Sequence, residues 1–132
     1  MIVSSDIYKI LFDKVKKIGI ADVYDGWNPI KSKLKKEAAV IVTSTPVSTD
    51  TYWERAYVHV NICVPDYLGY VNTERLNAVE RLANVWIRDG MTGEYDGSIY
   101  RISKDSSGIE RDDALKCSYV NLVLLFEILN VK

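Results

Sequence analysis

The side chains that most often carry out chemistry are few in this sequence and form no known catalytic pattern. His59 is the only histidine, and Cys63 is the one metal-ligating side chain at a suitable spacing from it. An imidazole usually supplies acid–base catalysis, or it binds zinc together with other ligands. A single histidine between Tyr57 and Asn61 in an alternating strand is more often structural or interfacial. We therefore predict that the chain is not an enzyme and has no catalytic residue, metal ligand or cofactor.

The segment from Asp89 to Gly97 combines carboxylates with glycines, a mixture that can suit calcium or a phosphate group. Its carboxylates do not follow the alternating pattern of an EF-hand loop, and the final glutamate of that loop is missing. No lysine follows the glycines, and there is no GxGxxG pattern. Ser44 and Ser48 likewise lack the GxSxG setting of a nucleophilic serine. We predict that residues 89–97 form a solvated loop.

One short basic run is the candidate for contact with a nucleic acid or a partner protein. It contains Lys31, Lys33, Lys35 and Lys36. The whole chain has 17 basic and 18 acidic residues, which gives a formal net charge of −1. A dedicated nucleic-acid-binding protein is usually basic, with its charge clustered on one face. We therefore interpret the run as a solvated loop first and as a partner contact second.

Tyrosine and tryptophan are more informative than the charged residues. The chain has 9 Tyr and 3 Trp but only 2 Phe. Five of these aromatic residues concentrate around one strand and the loop after it: Tyr52, Trp53, Tyr57, Tyr67 and Tyr70. Both residue types are enriched in protein interfaces because they combine a large apolar area with a polar group. An interface and ordinary packing at the edge of the fold explain this cluster equally well.

Two long segments alternate between inward and outward side chains with the period of two that is typical of strands. They are Trp53–Val64 and Leu115–Leu129, and each has one apolar face. A sheet with one apolar face is usually antiparallel and covered on that side only. The opposite faces are neither fully apolar nor highly charged. That composition favours contact with another protein over open water.

The remaining elements complete a single α+β domain. Helical periodicity predicts one helix from Ser4 or Ser5 to about Lys17 and a second over Asn72–Asp89. Weaker signals predict short strands at Ile20–Tyr24, Ala38–Thr45 and Ser98–Lys104, and a turn with a charged connector at residues 105–113. We predict one domain over residues 1–132, in which a mostly antiparallel sheet of about four or five strands carries two helices on one face.

Cys63 and Cys117 are the only two cysteines, and each lies inside a strand signal. Two thiols without a CxxC spacing are typical of a reduced cytosolic protein, and the sequence does not decide whether they are neighbours. The first residues lack the basic start and long apolar run of a signal peptide. The longest apolar stretch, Leu122–Phe126, is far too short to span a membrane. These features predict a cytoplasmic protein without membrane contact.

The order and texture of the segments are themselves informative. In chain order they read VYDG, TSTPV, ERAYVHVNICVPD, NTERLNAVERLANVW and CSYVNLVLLFEI. This series resembles the tail terminator, or tail-completion, proteins of long-tailed bacteriophages and prophages. The resemblance covers most of the chain in order and length, and it rests on element order and not on a diagnostic motif. Related head–tail neck proteins share much of this texture.

The resemblance implies a small α+β subunit of a homo-oligomeric ring, commonly a hexamer. Such a ring terminates the tail tube and joins it to the head connector, so the subunit is a non-catalytic structural protein of the virion neck. Its partners would be itself, the tail tube and the head connector proteins, with DNA present only where it passes through the ring lumen. Assembly would take place in the cytoplasm of the bacterial host.

A closed ring needs two different contact patches on each subunit. As a hypothesis, we assign the first patch to the loop at residues 46–53, with Tyr52 and Trp53. The second patch is assigned to the outer face of the sheet through five residues: Tyr57, His59, Asn61, Tyr119 and Asn121.

Two other classes of function stay open. The first is a small ligand-binding or enzymatic α+β domain that uses the sheet face around His59. It predicts that His59→Ala abolishes activity without changing the oligomeric state. The second is a nucleic-acid-binding module that uses the basic run at residues 31–36, and it predicts binding that weakens as salt is added.

Overall fold

The computed structural model describes residues 2–19, 22–25, 36–43, 48–49 and 53–129. It contains two helices, α1 (Ser4–Lys16) and α2 (Thr73–Ile87). The strands are β1 (Asp22–Asp25), β2 (Ala38–Thr43), β3 (Ser48–Thr49), β4 (Glu54–Pro65), β5 (Met91–Tyr95), β6 (Ser98–Asp112) and β7 (Cys117–Leu129). The predicted α+β class is confirmed.

The sheet is larger and less regular than the sequence predicted. Six strands follow one another in the order β1-β2-β4-β7-β6-β5, and the two-residue β3 pairs with the start of β4. The pair β1–β2 is parallel, whereas the other pairs are antiparallel. The prediction of a mostly antiparallel sheet of about four or five strands is therefore wrong in the number of strands, and it missed the parallel pair. The sheet is mixed and curled.

The alternation in β4 and β7 positions the core as the sequence predicted. Val58 pairs with Leu124 and Val60 pairs with Leu122, so these side chains lie on the same inner face. All four are completely buried. Each buried side chain of this size contributes roughly 1.5–3 kcal/mol to stability, so this face supplies much of the driving force for folding.

Both helices cover that inner face, because their apolar stripes join the same buried cluster as the inner residues of the sheet. Asn72 caps α2 as predicted, since its side-chain oxygen accepts a hydrogen bond from the backbone N–H of Arg75 at 3.2 Å. Helix α1 starts differently from the prediction. Val3 and not a serine precedes it, and the carboxylate of Asp6 accepts the Val3 N–H at 3.0 Å.

Two segments near the second helix were predicted wrongly. Residues 89–97 contain strand β5, which pairs with the first part of β6, and are not a loop. Residues 105–113 were predicted as a turn and a connector, but β6 continues to Asp112 and pairs with β7 along its length. The only irregularity in that pairing is a bulge between Lys104 and Ser106. A long partner strand thus overrides the local turn preference of the Asp-Ser-Ser-Gly sequence.

The sheet has two distinct ends. At one end, β4 finishes at Pro65 beside Cys117, the first residue of β7. At the other end, β6 begins beside the last residues of β7, where Ile99 pairs with Leu129. Helix α1 belongs to this second end, because the hydroxyl of Tyr95 donates a hydrogen bond to Asp6 at 3.4 Å.

Candidate interface on the outer sheet face

The outer face of the sheet is divided into a covered half and an open half. The covered half lies near the end of β4 and consists of buried residues in four strands or connections: Ala38, Val40, Cys63, Leu115 and Cys117. Leu115, in the connection between β6 and β7, packs onto the others, and Tyr24 and Tyr119 pack at the margin. The sequence did not predict this second cluster, because it placed Leu115 at the start of the second long strand and not in a connection that folds over the sheet.

We call the open half the outer patch, and it contains Val42, Tyr57, His59, Val123 and Leu125. Val42 lies opposite His59, His59 opposite Val123, and Tyr57 opposite Leu125. Four of these side chains are half-buried, and Tyr57 is 41% exposed. An apolar and aromatic patch in the middle of a sheet, left partly open, is the usual composition of an interface core.

His59 has a fixed orientation within this patch. Its Nδ1 lies 2.8 Å from the side-chain oxygen of Asn121, which is the partner of Asn61 on the neighbouring strand. Because that oxygen can only accept, Nδ1 carries the proton and Nε2 is left as an acceptor when the ring is neutral. The arrangement orients a polar ring for contact.

A row of charged residues borders the outer patch on the side away from the covered half. Glu127 is 5% exposed and is bound by two guanidinium groups, with Arg101 Nε at 3.0 Å and Arg55 Nε at 3.3 Å. The hydrogen bond from Arg101 lowers the pKa of Glu127, and the same bond raises the pKa of Arg101. Trp53 lies over the guanidinium of Arg101, with 4.6 Å between the ring centroid and the central carbon.

This row contains one predicted interface residue and three that sequence reasoning missed. Trp53 was predicted, whereas Arg55, Arg101 and Glu127 were not. One signal was available, since Glu127 is the only charged residue of β7 and a buried carboxylate needs a cationic partner. The sequence does not show which arginine supplies it, because Arg55 and Arg101 come from two different strands.

The other predicted site residues are distributed as follows. Tyr57 and His59 lie in the outer patch, and Asn121 touches it through His59. Asn61 is only 6% exposed, and its side-chain oxygen has no hydrogen-bond partner among the described residues. Tyr119 is half-buried, and burial raises its pKa to about 12, so its phenol stays protonated.

Tyr52 and three of the four lysines, Lys31, Lys33 and Lys35, lie outside the described residues. Lys36 is described and exposed, and it lines a shallow cleft with Glu37 and Asn72. Arg75 closes that side through a bidentate pair with Glu37, with 2.8 Å between Nη2 and Oε1. The salt bridge joins the start of α2 to the segment that leads into β2.

Cys63 and Cys117 are neighbours, which the sequence left open. Cys63 lies opposite Tyr119, and Cys117 lies two residues further along the same face of β7. Both side chains are completely buried. The hydrogen bond between the two thiols, together with burial, raises the pKa of Cys63. The same hydrogen bond lowers the pKa of Cys117, so the low reactivity expected of both thiols rests on their burial.

We therefore expect slow reaction of both thiols with a disulfide reagent such as Ellman's reagent. Labelling of the folded protein at neutral pH should be about 100-fold slower than in concentrated urea, because opening of the structure limits access. Absorbance of the released thiolate measures the rate, and the Cys63→Ser and Cys117→Ser variants identify which thiol reacts. Rapid labelling of either cysteine in the folded protein would contradict this burial.

A second unusual surface lies at the end of the sheet where β4 finishes. A tight turn connects Tyr67 and Tyr70, whose backbone groups exchange hydrogen bonds of 2.8 and 3.0 Å. Tyr67, Leu68, Tyr70 and Val71 are all exposed, and Leu68 is the most exposed at 79%. We call these four residues the apolar turn. The sequence indicated an apolar loop here but not its rigid geometry.

Charged residues surround the base of the apolar turn. Arg111 binds Asp66 through both terminal guanidinium nitrogens, Nη1 and Nη2, with 2.8 Å from Nη2 to Oδ2, and its Nε donates to Asp113 at 3.0 Å. These carboxylates raise the pKa of Arg111, and the Asp113 side chain is 88% exposed. The Asp112 carboxylate accepts the backbone N–H of Leu115 at 3.0 Å. Lys116 lines the same cleft as Asp66 and Leu68, so three carboxylates lie beside two cations at this end of the sheet.

Among the described residues, no three His, Cys, Asp or Glu side chains lie close enough together to hold a metal ion. Neither of the two described helices is long and apolar enough to cross a membrane. Comparison of the chain with protein-family models and with curated proteins finds no match.

Proposed function

We propose that this chain is a structural subunit that assembles into a ring in the neck or tail of a bacteriophage. In this role it would end the tail tube and join it to the head connector. The observation that supports the proposal is the outer patch, where an apolar and aromatic surface is left open in the middle of a sheet. The charged row with Trp53 and two arginines at its border has the residue types that dominate binding energy in interfaces.

The chemistry of the described residues fits assembly better than turnover. The imidazole of His59 is bound to an amide, and the two thiols are buried and hydrogen-bonded to each other. The net charge of −1 puts little long-range repulsion between copies. A ring subunit with the phage tail tube and head connector as partners agrees with these features and with the resemblance described above.

The first test is the size and shape of the assembled protein. We expect light-scattering mass to rise with concentration to one discrete value, and negative-stain images of that species to show closed rings, for example hexamers. Tyr57→Asp should shift the protein toward monomer, because it places a charge in the centre of the outer patch. Circular dichroism checks that the variant is folded.

A matched control is available on the opposite side of the molecule. Val85 lies on α2, away from the sheet, and is 62% exposed. Val85→Asp adds the same charge on an exposed apolar position and should leave the mass unchanged. Equal loss of assembly in both variants would argue against the outer patch. Failure of the wild-type protein to form closed rings at any concentration would argue against the ring proposal itself.

A further inference from the structure

The apolar turn exposes large side chains on a rigid frame. Its two central residues, Leu68 and Gly69, have positive φ angles of 52° and 81°. With the reciprocal backbone hydrogen bonds between Tyr67 and Tyr70, this is a type I′ turn. A rigid turn loses little conformational entropy when it binds. The free energy gained by burying its four exposed apolar side chains is therefore available to stabilise association.

Leu68 is an unfavourable choice for the structure of the turn. The left-handed region disfavours residues with a side chain, and type I′ turns usually place Asn, Asp or Gly at this position. The chain itself uses the usual pair at the other end of the sheet, where Asp96 and Gly97 have φ angles of 49° and 78°. The Leu68 side chain therefore adds strain and exposes apolar surface, and neither helps the isolated subunit fold.

A surface of matching chemistry lies at the other end of the same sheet. The outer patch offers half-buried apolar side chains, and Arg55 and Arg101 border it with only Glu127 between them. That row carries an excess of positive charge, whereas Asp66 and the exposed Asp113 beside the apolar turn belong to an end with an excess of carboxylates. Apolar contact flanked by opposite charges gives both affinity and orientation.

The turn cannot reach the outer patch of its own molecule. Tyr57 and Asp66 are separated by nine residues, most of them in the extended strand β4, which corresponds to about 30 Å at 3.3 Å per residue. Contact between these surfaces must therefore join two molecules. The two surfaces are different, so each copy can give its turn to one neighbour and receive the turn of another. Such a head-to-tail contact generates a ring or an open filament.

We propose that the apolar turn of one copy docks on the outer patch of the next copy of this chain. The inference rests on the proposed function, since it specifies the subunit contact of that assembly. Leu68 is the central side chain of the contact, Tyr67 and Tyr70 flank it, and the exposed carboxylate of Asp113 beside the turn faces Arg55 and Arg101 of the neighbour.

The strain in the turn allows a test in which stability and association change in opposite directions. Leu68→Gly removes the strain and the apolar side chain together. We expect a higher urea midpoint of unfolding for the monomer and association at least tenfold weaker, measured by light-scattering mass over a concentration series. Asp96 has a positive φ of 49° in the turn between β5 and β6, at the other end of the sheet from the apolar turn. Asp96→Gly changes the same backbone conformation away from the proposed contact and should leave association unchanged.

A mixing experiment tests the head-to-tail character of the contact. Leu68→Gly retains an intact outer patch, and Tyr57→Asp retains an intact apolar turn. Each variant alone should be monomeric, whereas an equimolar mixture should form a dimer that contains one copy of each and grows no further. Mass photometry or light scattering of the mixture gives this mass directly. A mixture that stays monomeric would overturn the proposal.

Failure of this inference can be separated from failure of the proposed function. If Leu68→Gly forms the same closed rings as the wild-type protein, the docking proposal is wrong and the ring function stands. If association depends on Leu68 but produces open chains, the docking proposal stands and the ring function is wrong. A wild-type protein that is monomeric at every concentration overturns both.

Discussion

Replacing Gly93 with valine is expected to lower the free energy of unfolding by about 3 kcal/mol, a large effect for an added side chain. Gly93 lies directly opposite Tyr100 on β6, and a Cβ atom at position 93 would overlap the phenol ring. The ring has little room to move. Tyr100 is 6% exposed, stacks on Phe126 with centroids 5.5 Å apart, and lies under the ammonium group of Lys14.

Two further variants identify the cause of that loss. Gly108 is also a strand glycine, but a Cβ atom there meets nothing within 4 Å. Gly108→Val should therefore change the free energy of unfolding little. In a protein that already carries Tyr100→Val, and so lacks the ring, Gly93→Val should lower the free energy of unfolding much less. Urea unfolding of the four proteins in this double-mutant cycle measures the coupling. An equal cost of Gly93→Val in both backgrounds would show that the ring is not responsible.

Neutralising the buried carboxylate with Glu127→Gln is expected to lower stability by about 2 kcal/mol at neutral pH. The change removes a charge that two arginines share and leaves their guanidinium groups facing each other. The loss is smaller than for a fully buried ion pair because both arginine side chains are 49% exposed. Glu94→Gln is the matched control, since Glu94 is exposed on β5 and should change stability by less than about 0.5 kcal/mol.

The stability difference between the wild-type protein and Glu127→Gln should depend on pH. The hydrogen bond from Arg101 lowers the pKa of Glu127 in the folded state. A carboxylate with a lowered pKa stabilises the fold fully above its unfolded pKa of about 4.3, and this contribution is lost as the pH falls through the folded value. The stability difference between wild type and Glu127→Gln should therefore shrink in acid. A difference that stays constant down to about pH 3 would contradict this pairing.

The parts of the fold that alternation controls were predictable. The inner faces of β4 and β7 were identified residue by residue, and Val60 and Leu122 lie in the core where the period of two placed them. The cap at Asn72 was also predictable, because it depends on a local hydrogen bond. In each case the information lies within a few residues of sequence.

The errors come from contacts between distant residues. Strand β5 was missed because glycine and acidic residues are poor strand formers, and the sequence does not show that the ring of Tyr100 covers Gly93. The parallel pairing of β1 with β2 depends on the course of the chain between them. The formation of β5 and the parallel pairing of β1 with β2 are both decided by contacts between residues that are distant in the sequence.

The candidate site was predictable in position but not in extent. Alternation placed Tyr57, His59 and Asn61 on one face, and all three occur there. It did not separate the buried Asn61 from the exposed Tyr57, because Leu115 covers only one half of that face. The role of Leu68 was equally hidden, since it depends on a backbone angle.

The length of β6 has a consequence for how copies of this protein come together. Strand β5 pairs with only the first residues of β6, and within the described structure no strand pairs with residues 103–112 on the side away from β7. Such an open edge exposes backbone hydrogen-bonding groups that invite uncontrolled aggregation. The bulge after Lys104 and the charged side chains of Glu110 and Arg111 oppose flat pairing with another strand. Because these features oppose the addition of a strand at this edge, two copies of the protein would associate through contacts between side chains and not through backbone pairing.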